Sequence, residues 1–346
     1  MINQQIDNLE ITNWAVGDAP LAGTDFAGPG LAAAIGNFDG VHLGHQAVIM
    51  AASTAAMRDN LMPAVITFDP HPREFFRQDD APFTLTDRRE KDRLLAGALN
   101  NAGGLSKARI IHITFDDTLR RTDAQSFVVD VLRQLGVVQL FAGADFAFGK
   151  GRGGDVDTIR AVGQPVGISA STVPLLADKN SAVISSSRIR AALQAGDPNA
   201  ASAMLGRDWA VTGTVIKGDA RGRQIGFPTA NIALGNLQRP AFGVYAGDVY
   251  MDDAVDTIAG DAGLRLIGHA VANIGIRPTV ENRGVLCEAH LFDRDLDLYD
   301  KRLLVCLKAF LRPEQKFSAI EDLINQIAVD AEAARQLLSK LASGQS

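Results

Sequence analysis

The chain has 346 residues, 47% of them apolar and 21% charged, with a formal net charge of −6. That composition is globular, neither disordered nor fibrous, and the length suits two domains of roughly 100–200 residues each. The negative balance argues against a duplex nucleic-acid partner, which needs a basic face against phosphates, and leaves room only for a local basic pocket.

The opening stretch MINQQIDNLEITNWAVGD has neither a basic n-region nor an apolar h-region, so no secretory signal is expected. No run approaches the roughly 20 apolar residues of a membrane span. The cysteines, Cys287 and Cys306, lack C-x-x-C spacing and suit a reducing cytosol better than a disulfide scaffold or zinc site. A cytoplasmic protein without a membrane partner is expected.

Residues 31–35 (LAAAI) are predicted as a short buried strand, followed by the loop GNFDGVHLGH and a helix in HQAVIMAASTAAMRD. PAVITF (63–68) is a second buried strand ending in DPHP, and LTDRREKDRLLAGALNNAGG has helical periodicity with a Gly-Gly stop. RIIHITF (109–115) is a strand, DAQSFVVDVLRQLG a helix and VVQLFAGADF a strand. Apolar strands alternating with amphipathic helices imply a parallel sheet covered on both faces. Ligands of such sheets bind at the carboxyl ends of the strands, beside a topological switch point. NFDGVHLGH, DPHP and GADFAFGKGRGGD fall at those ends.

Beyond about residue 205 the pattern changes. VTGTVIKG, PTANIAL, GVYAGDVYM, LIGHAVANIG, VLCEAHLFD and KRLLVCLKAFL are short, β-branched, period-2 runs, the pattern of an antiparallel sandwich or small barrel. SAIEDLINQIAVDAEAARQLLSKL closes the chain as a helix or helix pair. The boundary is expected in GDPNAASAMLGRDW, giving domains 1–200 and 201–346, and 251–264 is expected as an acidic surface loop.

His42 and His45 flank Gly44 on a loop that leaves a strand and enters a helix. A helix N-terminus offers free N–H groups and partial positive charge to a phosphate. Imidazoles add hydrogen bonds where charge builds in a transition state, and Gly40 and Gly44 permit close backbone approach. Two surface histidines or half a metal site are the alternatives. A zinc site would need further ligands nearby; surface histidines would not explain the buried strand, the glycines and Asn37.

This H-x-G-H loop resembles the adenylyltransferase superfamily, and GNFDGVHLGH closely resembles the first module of prokaryotic bifunctional riboflavin kinase/FAD synthetases. VITFDPHP (65–72), GADFAFGKGRGGD (143–155) and ISSSRIR (184–190) follow in that family's order. The resemblance implies nucleotide contacts from Gly36, Asn37, Phe38, Asp39, Gly40 and Gly44, and a triphosphate clamp from Ser186, Ser187 and Arg188, with Arg190 beside it. A serine-capped helix start explains ISSSRIR equally well, and both can hold, since a capped N-terminus is also an anion site. FGKGRGG is not a P-loop: five residues separate Gly143 from Gly149, and Gly151 stands where Ser or Thr would be needed. The family reading instead makes Asp145, Phe148 and Gly149 part of a flavin- and nucleotide-facing loop. Lys150 and Arg152 would reach phosphate or simply be solvated.

In KGDARGRQIGFPTANI (217–232), Thr229 and Asn231 lie on one face of an extended segment. Their hydroxyl and amide oxygens are hard ligands suited to Mg2+, which keeps water and nucleotide phosphates for its other positions. A hairpin with a turn proline is the alternative. ANIGIRPT (272–279) and CEAHLFDRDLDLYDKRL (287–303) follow in the order of the riboflavin kinase family, a small antiparallel β-barrel. That resemblance makes Glu288 the general base, Arg277 a flavin contact, and Gly222, Arg223, Gly226 and Thr229 the ATP-phosphate contacts. Leu298-Tyr299-Asp300 departs from the family's usual Leu-Tyr-Gly.

The expected architecture is an α/β doubly wound nucleotidyltransferase-like domain followed by a small antiparallel β-barrel with a C-terminal helix. The expected activity is phosphorylation of riboflavin to FMN by MgATP, then adenylylation of FMN by a second ATP to FAD and pyrophosphate. The rivals are a relative with one decayed module, a flavin-binding regulator, and an adenylyltransferase of different substrate. Intact His42, His45 and Glu288 speak against the first two, and the G-F-P-T-A-N module against the third.

Overall fold

The computed structural model describes residues 8–21, 30–77, 81–102, 107–218, 222, 225–254, 263–276, 284–294 and 296–343. The chain divides into two compact units: Met1–Ala81 with Lys91–Ile184, and Pro82–Glu90 with Ser185–Ser346.

Among the described residues the first unit holds a six-stranded sheet. Its strands are β1 (Asn8–Trp14), β2 (Leu31–Ile35), β3 (Met62–Asp69), β4 (Lys107–Thr114), β5 (Val137–Gly143) and β6 (Ser169–Val173). They run in the order β1-β4-β3-β2-β5-β6, and every pairing is parallel. From β2 the chain steps one way to β3 and the other way to β5, so the switch point lies where β2 and β5 adjoin. Side-chain alternation covers both faces. Ala33 and Ile35 join a core with Phe127, Val131 and Leu140. Ala34 joins the opposite core with Ile49, Ala52, Leu95 and Leu99. The second core is supplied by α1 (Leu43–Asp59) and by α3 (Arg88–Asn100), which follows the short α2 (Pro72–Phe76). Buried His112 on β4 donates from Nε2 to buried Asp92 on α3 at 2.6 Å, pinning helix to sheet.

The predicted helix at 123–136 is divided into α5 (Ala124–Ser126), after α4 (Asp117–Arg121), and a π-helical turn, Phe127–Leu132. Val156–Gly163 forms α6, with an Asp155–Thr158 capping box.

The second unit contains a closed barrel in the order β10-β11-β8-β7-β12-β9. Its strands are β7 (Ala210–Ile216), β8 (Ala230–Ala233), β9 (Gly243–Asp252), β10 (Leu264–Ile276), β11 (Val285–Leu291) and β12 (Arg302–Pro313). All pairings are antiparallel. Two helices precede it, α7 (Ser186–Gln194) and α8 (Pro198–Leu205); the latter lies in the stretch where the domain boundary is expected. A single helix, α9 (Ile320–Ala342), follows. Its Ala331, Ala334 and Leu338 stripe packs on Val244, Ala246, Val271 and Phe292. At the expected acidic loop, β9 runs to Asp252 and β10 begins at Leu264; residues 255–262 lie outside the described residues.

Segment Pro82–Glu90 belongs to the barrel unit. Trp209 Nε1 donates to the Leu85 carbonyl at 2.8 Å. Thr212 Oγ1 donates to Asp87 at 2.5 Å and Arg302 Nη2 to the same carboxylate at 2.6 Å.

Candidate functional site

In the first unit the loop after β2 meets α1 at the switch point. His42 caps α1, its Nδ1 accepting from the His45 N–H at 3.3 Å. An accepting Nδ1 puts the neutral ring's proton on Nε2, so His42 is a donor at its far edge. The His42 and His45 rings stack at 3.6 Å between centroids and 17° between planes. Phe38 meets the His45 ring edge-on at 5.2 Å. A Cβ on Gly44 would stand 3.1 Å from His42 Cε1, so glycine is what lets the imidazole lie over the helix start.

The loop is held in demanding backbone: Phe38 (φ 49), Gly40 (φ 82) and Val41 (φ 41) are all left-handed. For a β-branched valine that conformation is strained, a device common at ligand sites. Burial of Phe38, Val41, Asp39 and His42 holds it there. The Asn37 carbonyl accepts from Thr67 Oγ1 of β3 at 3.1 Å, and Gly36 donates its N–H to the Ile66 carbonyl.

The loop after β5 occupies the other side of the switch point. Its Phe148 is buried and packs on Phe127 and Phe146, at 5.1 Å and 5.7 Å. Asp145, Lys150 and Arg152 are all exposed. Aromatic side chains that pattern reading passed over gather at the ends of β3 and β4. Phe75 and Phe76 stand 5.4 Å and 5.7 Å from Phe115, and Phe68 stands 6.2 Å from it. Phe76 is 58% exposed. The PREFF run just after a strand was the available signal.

Ser186, Ser187 and Arg188 open α7 in the second unit, where Ser185 supplies the cap by accepting from the Arg188 N–H at 3.4 Å. Arg190 donates from Nε to the Phe83 carbonyl at 2.7 Å and lies over the Phe83 ring, so it serves the barrel's own packing.

On the barrel, the register sets Glu288 of β11 directly opposite Asn231 of β8, and opposite Asn273 of β10 on its other side. Directly paired side chains share a face with Cβ atoms about 4.5–5.5 Å apart. Cys287 and Ala289 are fully buried while Glu288 is half-buried, so this row faces outward. Thr229 lies two residues before Asn231 on the same face. Asn231 Nδ2 donates to the Thr229 carbonyl at 3.3 Å, which orients the amide and leaves Oδ1 as a donor oxygen for a cation. A Cβ on Gly218 would fall 2.6 Å from that amide nitrogen; glycine keeps the space beside it open. These are the hard oxygens a Mg2+ ion requires. Gly222 and Gly226 bound a turn closed by the Phe227 N–H on the Gly222 carbonyl at 2.8 Å. Arg223 and Arg277 lie outside the described residues. Asn273 was not singled out from sequence, since only the register reveals it as Glu288's neighbour.

The FAD synthetase family model matches residues 27–188, and the riboflavin kinase family model matches residues 205–338. A bifunctional riboflavin kinase/FMN adenylyltransferase of Pseudomonas fluorescens is 39% identical over 313 residues, 89% of this chain and 93% of that protein. The protein of the same description from Escherichia coli K12 is 38% identical over 303 residues, 87% of this chain and 91% of its own length. A crystal structure described as a macrolide-efflux protein from Streptococcus pneumoniae shares the fold with a TM-score of 0.74 at 26% identity, covering 93% of this chain and 98% of that one. No helix among the described residues is long and apolar enough to cross a membrane.

Proposed function

Because this chain belongs to the bifunctional riboflavin kinase/FMN adenylyltransferase family, we propose that it converts riboflavin to FMN and FMN to FAD, consuming one ATP at each step. What carries this most is that one chain presents both devices. A stacked histidine pair lies at a helix start on a sheet's switch point, and a carboxylate stands in register with an amide on a barrel, two residues from a threonine hydroxyl.

Kinase chemistry is assigned to the portion from about residue 201 onward. Glu288 accepts the proton of riboflavin's terminal ribityl hydroxyl as that oxygen attacks the γ-phosphorus and ADP departs. Thr229 Oγ1 and Asn231 Oδ1 would hold Mg2+, which when bound neutralises charge on the nucleotide phosphates. The family resemblance assigns Gly222, Arg223, Gly226 and Thr229 to those phosphates and Arg277 to the flavin. Asn273 and Asn231 flank Glu288 and set its position.

Adenylyl transfer is assigned to residues 1–200. The FMN phosphate attacks the α-phosphorus of ATP and pyrophosphate leaves, without a covalent enzyme intermediate. A phosphate monoester is nucleophilic enough, so alignment and charge stabilisation suffice. The Nε2–H of His42 and the ring of His45 donate to the α-phosphate oxygens. The loop from Gly36 to Gly44 cradles the nucleotide; the phosphate role of Ser186, Ser187 and Arg188 rests on the family resemblance and on the capped start of α7. Asp145, Phe148 and the Phe75–Phe76–Phe115 group form the flavin side.

A net charge of −6 and free thiols at Cys287 and Cys306 support a cytoplasmic enzyme working on small molecules, without nucleic-acid or membrane partners. The test is a chromatographic time course of purified protein with riboflavin, ATP and MgCl2. FMN should appear first and FAD later, and a parallel incubation started from FMN should give FAD directly. FAD from FMN but never FMN from riboflavin would overturn the kinase assignment, and FMN as the sole product would overturn the adenylyl assignment.

A further inference from the structure

His290 stands two residues beyond Glu288 on β11, so it projects from the same outward face, and Phe292 lies in the turn just after the strand. Its ring lies edge-on between two phenyl rings, 5.2 Å from the Phe227 centroid and 6.2 Å from that of Phe292. Phe292 is fixed from the α9 side by the Arg335 guanidinium, 4.3 Å above its ring, and Arg335 is itself paired with Asp293.

Held in this way, His290 places Nδ1 2.9 Å from the Pro228 carbonyl oxygen. A carbonyl only accepts, so Nδ1 carries the proton. The Pro228 carbonyl and the Thr229 N–H belong to one planar peptide unit. Fixing that plane sets the direction in which Thr229 enters β8, and with it the Thr229 hydroxyl opposite the Glu288 row. Pro228 limits the turn's φ and brings no N–H of its own, which leaves its carbonyl as the handle by which that peptide is held.

We propose that His290 is a positioning residue for phosphoryl transfer: by donating from Nδ1 to the Pro228 carbonyl it orients the Pro228–Thr229 peptide and so aligns Thr229 and Asn231 with Glu288. This rests on the assignment of Thr229, Asn231 and Glu288 to the kinase site. His290 transfers no proton in the reaction. The hydrogen bond survives in both the neutral ring and the imidazolium, because Nδ1 is protonated in each.

Purified full-length His290→Leu, His290→Asn and Glu288→Gln test it through kcat and KM for riboflavin phosphorylation, with FAD formation from added FMN followed in parallel. Leu keeps bulk and removes the donor, whereas the Asn amide places an N–H near the position of Nδ1. Misplacement by about 1 Å can cost on the order of 100-fold. His290→Leu should therefore lose about 10- to 100-fold in kcat with KM for riboflavin within about threefold, and His290→Asn should recover most of that loss. The pH–rate profile from 6 to 8 should keep its shape in His290→Asn. The Thr229 amide resonance should move in the Leu variant and return toward the parent position in the Asn variant, a readout independent of turnover. A Leu variant as fast as the parent beside an inactive Glu288→Gln overturns the proposal and leaves the site intact. An Asn variant as slow as Leu, or one that loses an ionisation from the profile, shows that the ring itself takes part and overturns it too. An active Glu288→Gln removes the site assignment, and the proposal with it.

Discussion

Gly44 and His45 bear the sharpest expectations at the residue scale, because the histidine loop has no spare volume. With the position of a Cβ only 3.1 Å from His42 Cε1, Gly44→Ala must displace the imidazole by a few tenths of an ångström. FAD formation from FMN should fall by about 10- to 100-fold, the range set by modest displacement of a catalytic group, while riboflavin phosphorylation is unaffected. His45→Ala should cost about 100- to 1000-fold in the same assay, as loss of a transition-state donor does; a rate within about threefold of the parent would contradict its assignment. Burial pushes the Cys287 thiol up to about 12, so it stays protonated near neutrality and unreactive. Peptide mapping after iodoacetamide at pH 8 should find it unmodified in the native protein and modified after denaturation. At this scale the sequence was informative wherever chemistry is local. Thr229 and Asn231 share a face because strands repeat every two residues, and the glycines of GNFDGVHLGH marked a loop of close approach. Asn273 and the His290–Pro228 bond were not legible, because both depend on which strands lie side by side.

Elements whose apolar pattern is strong were legible in order and type: β2 to β5, all six barrel strands and α9. Two strands escaped for a physical reason. β6 (SASTV) is an edge strand whose residues are mostly exposed or half-buried, so it lacks the apolar run that marks a buried strand. β1 lies at the opposite edge and carries Glu10 outward, paired with Arg109. Segment Pro82–Glu90 is the larger omission, since helical periodicity from Leu85 onward gives no sign that Leu85 and Asp87 bond residues far along the chain. Asp87 anchors it through Arg302, Thr212 and the Glu90 N–H. Burial alone would raise the Asp87 carboxyl, but the Arg302 charge and these hydrogen bonds hold it below the ordinary value of 3.8. A depressed folded-state pKa stabilises the protein above the ordinary value, and that contribution is lost as pH falls through the folded one. Asp87→Ala should cost about 2 kcal/mol at neutral pH, the range for hydrogen bonds to a charged group, as measured by urea unfolding. The difference from the parent should shrink as pH is lowered from 5 to below 4; a difference that stays constant would exclude Asp87 as the titrating anchor.

For the molecule as a whole, the two compact units carry unrelated solutions to the same problem of handling a nucleotide phosphate. In the proposed assignment one uses the free N–H groups of a helix start beside a parallel sheet, with imidazoles added, and the other uses oxygens and a carboxylate on the outer face of a barrel. Length alone indicated two domains and the change from period-3.6 to period-2 patterning showed where the architecture turns over, but the reaction at each site was legible only through ordered motifs and their family resemblance. In the proposed function two separate transfer sites in one chain act in succession. Feeding Glu288→Gln first riboflavin and then FMN, each with MgATP, tests it most directly. FMN formation from riboflavin should fall at least about 100-fold, as for loss of a general base, with FAD formation from added FMN at the parental rate. Equal loss of both activities, or loss of neither, would contradict it.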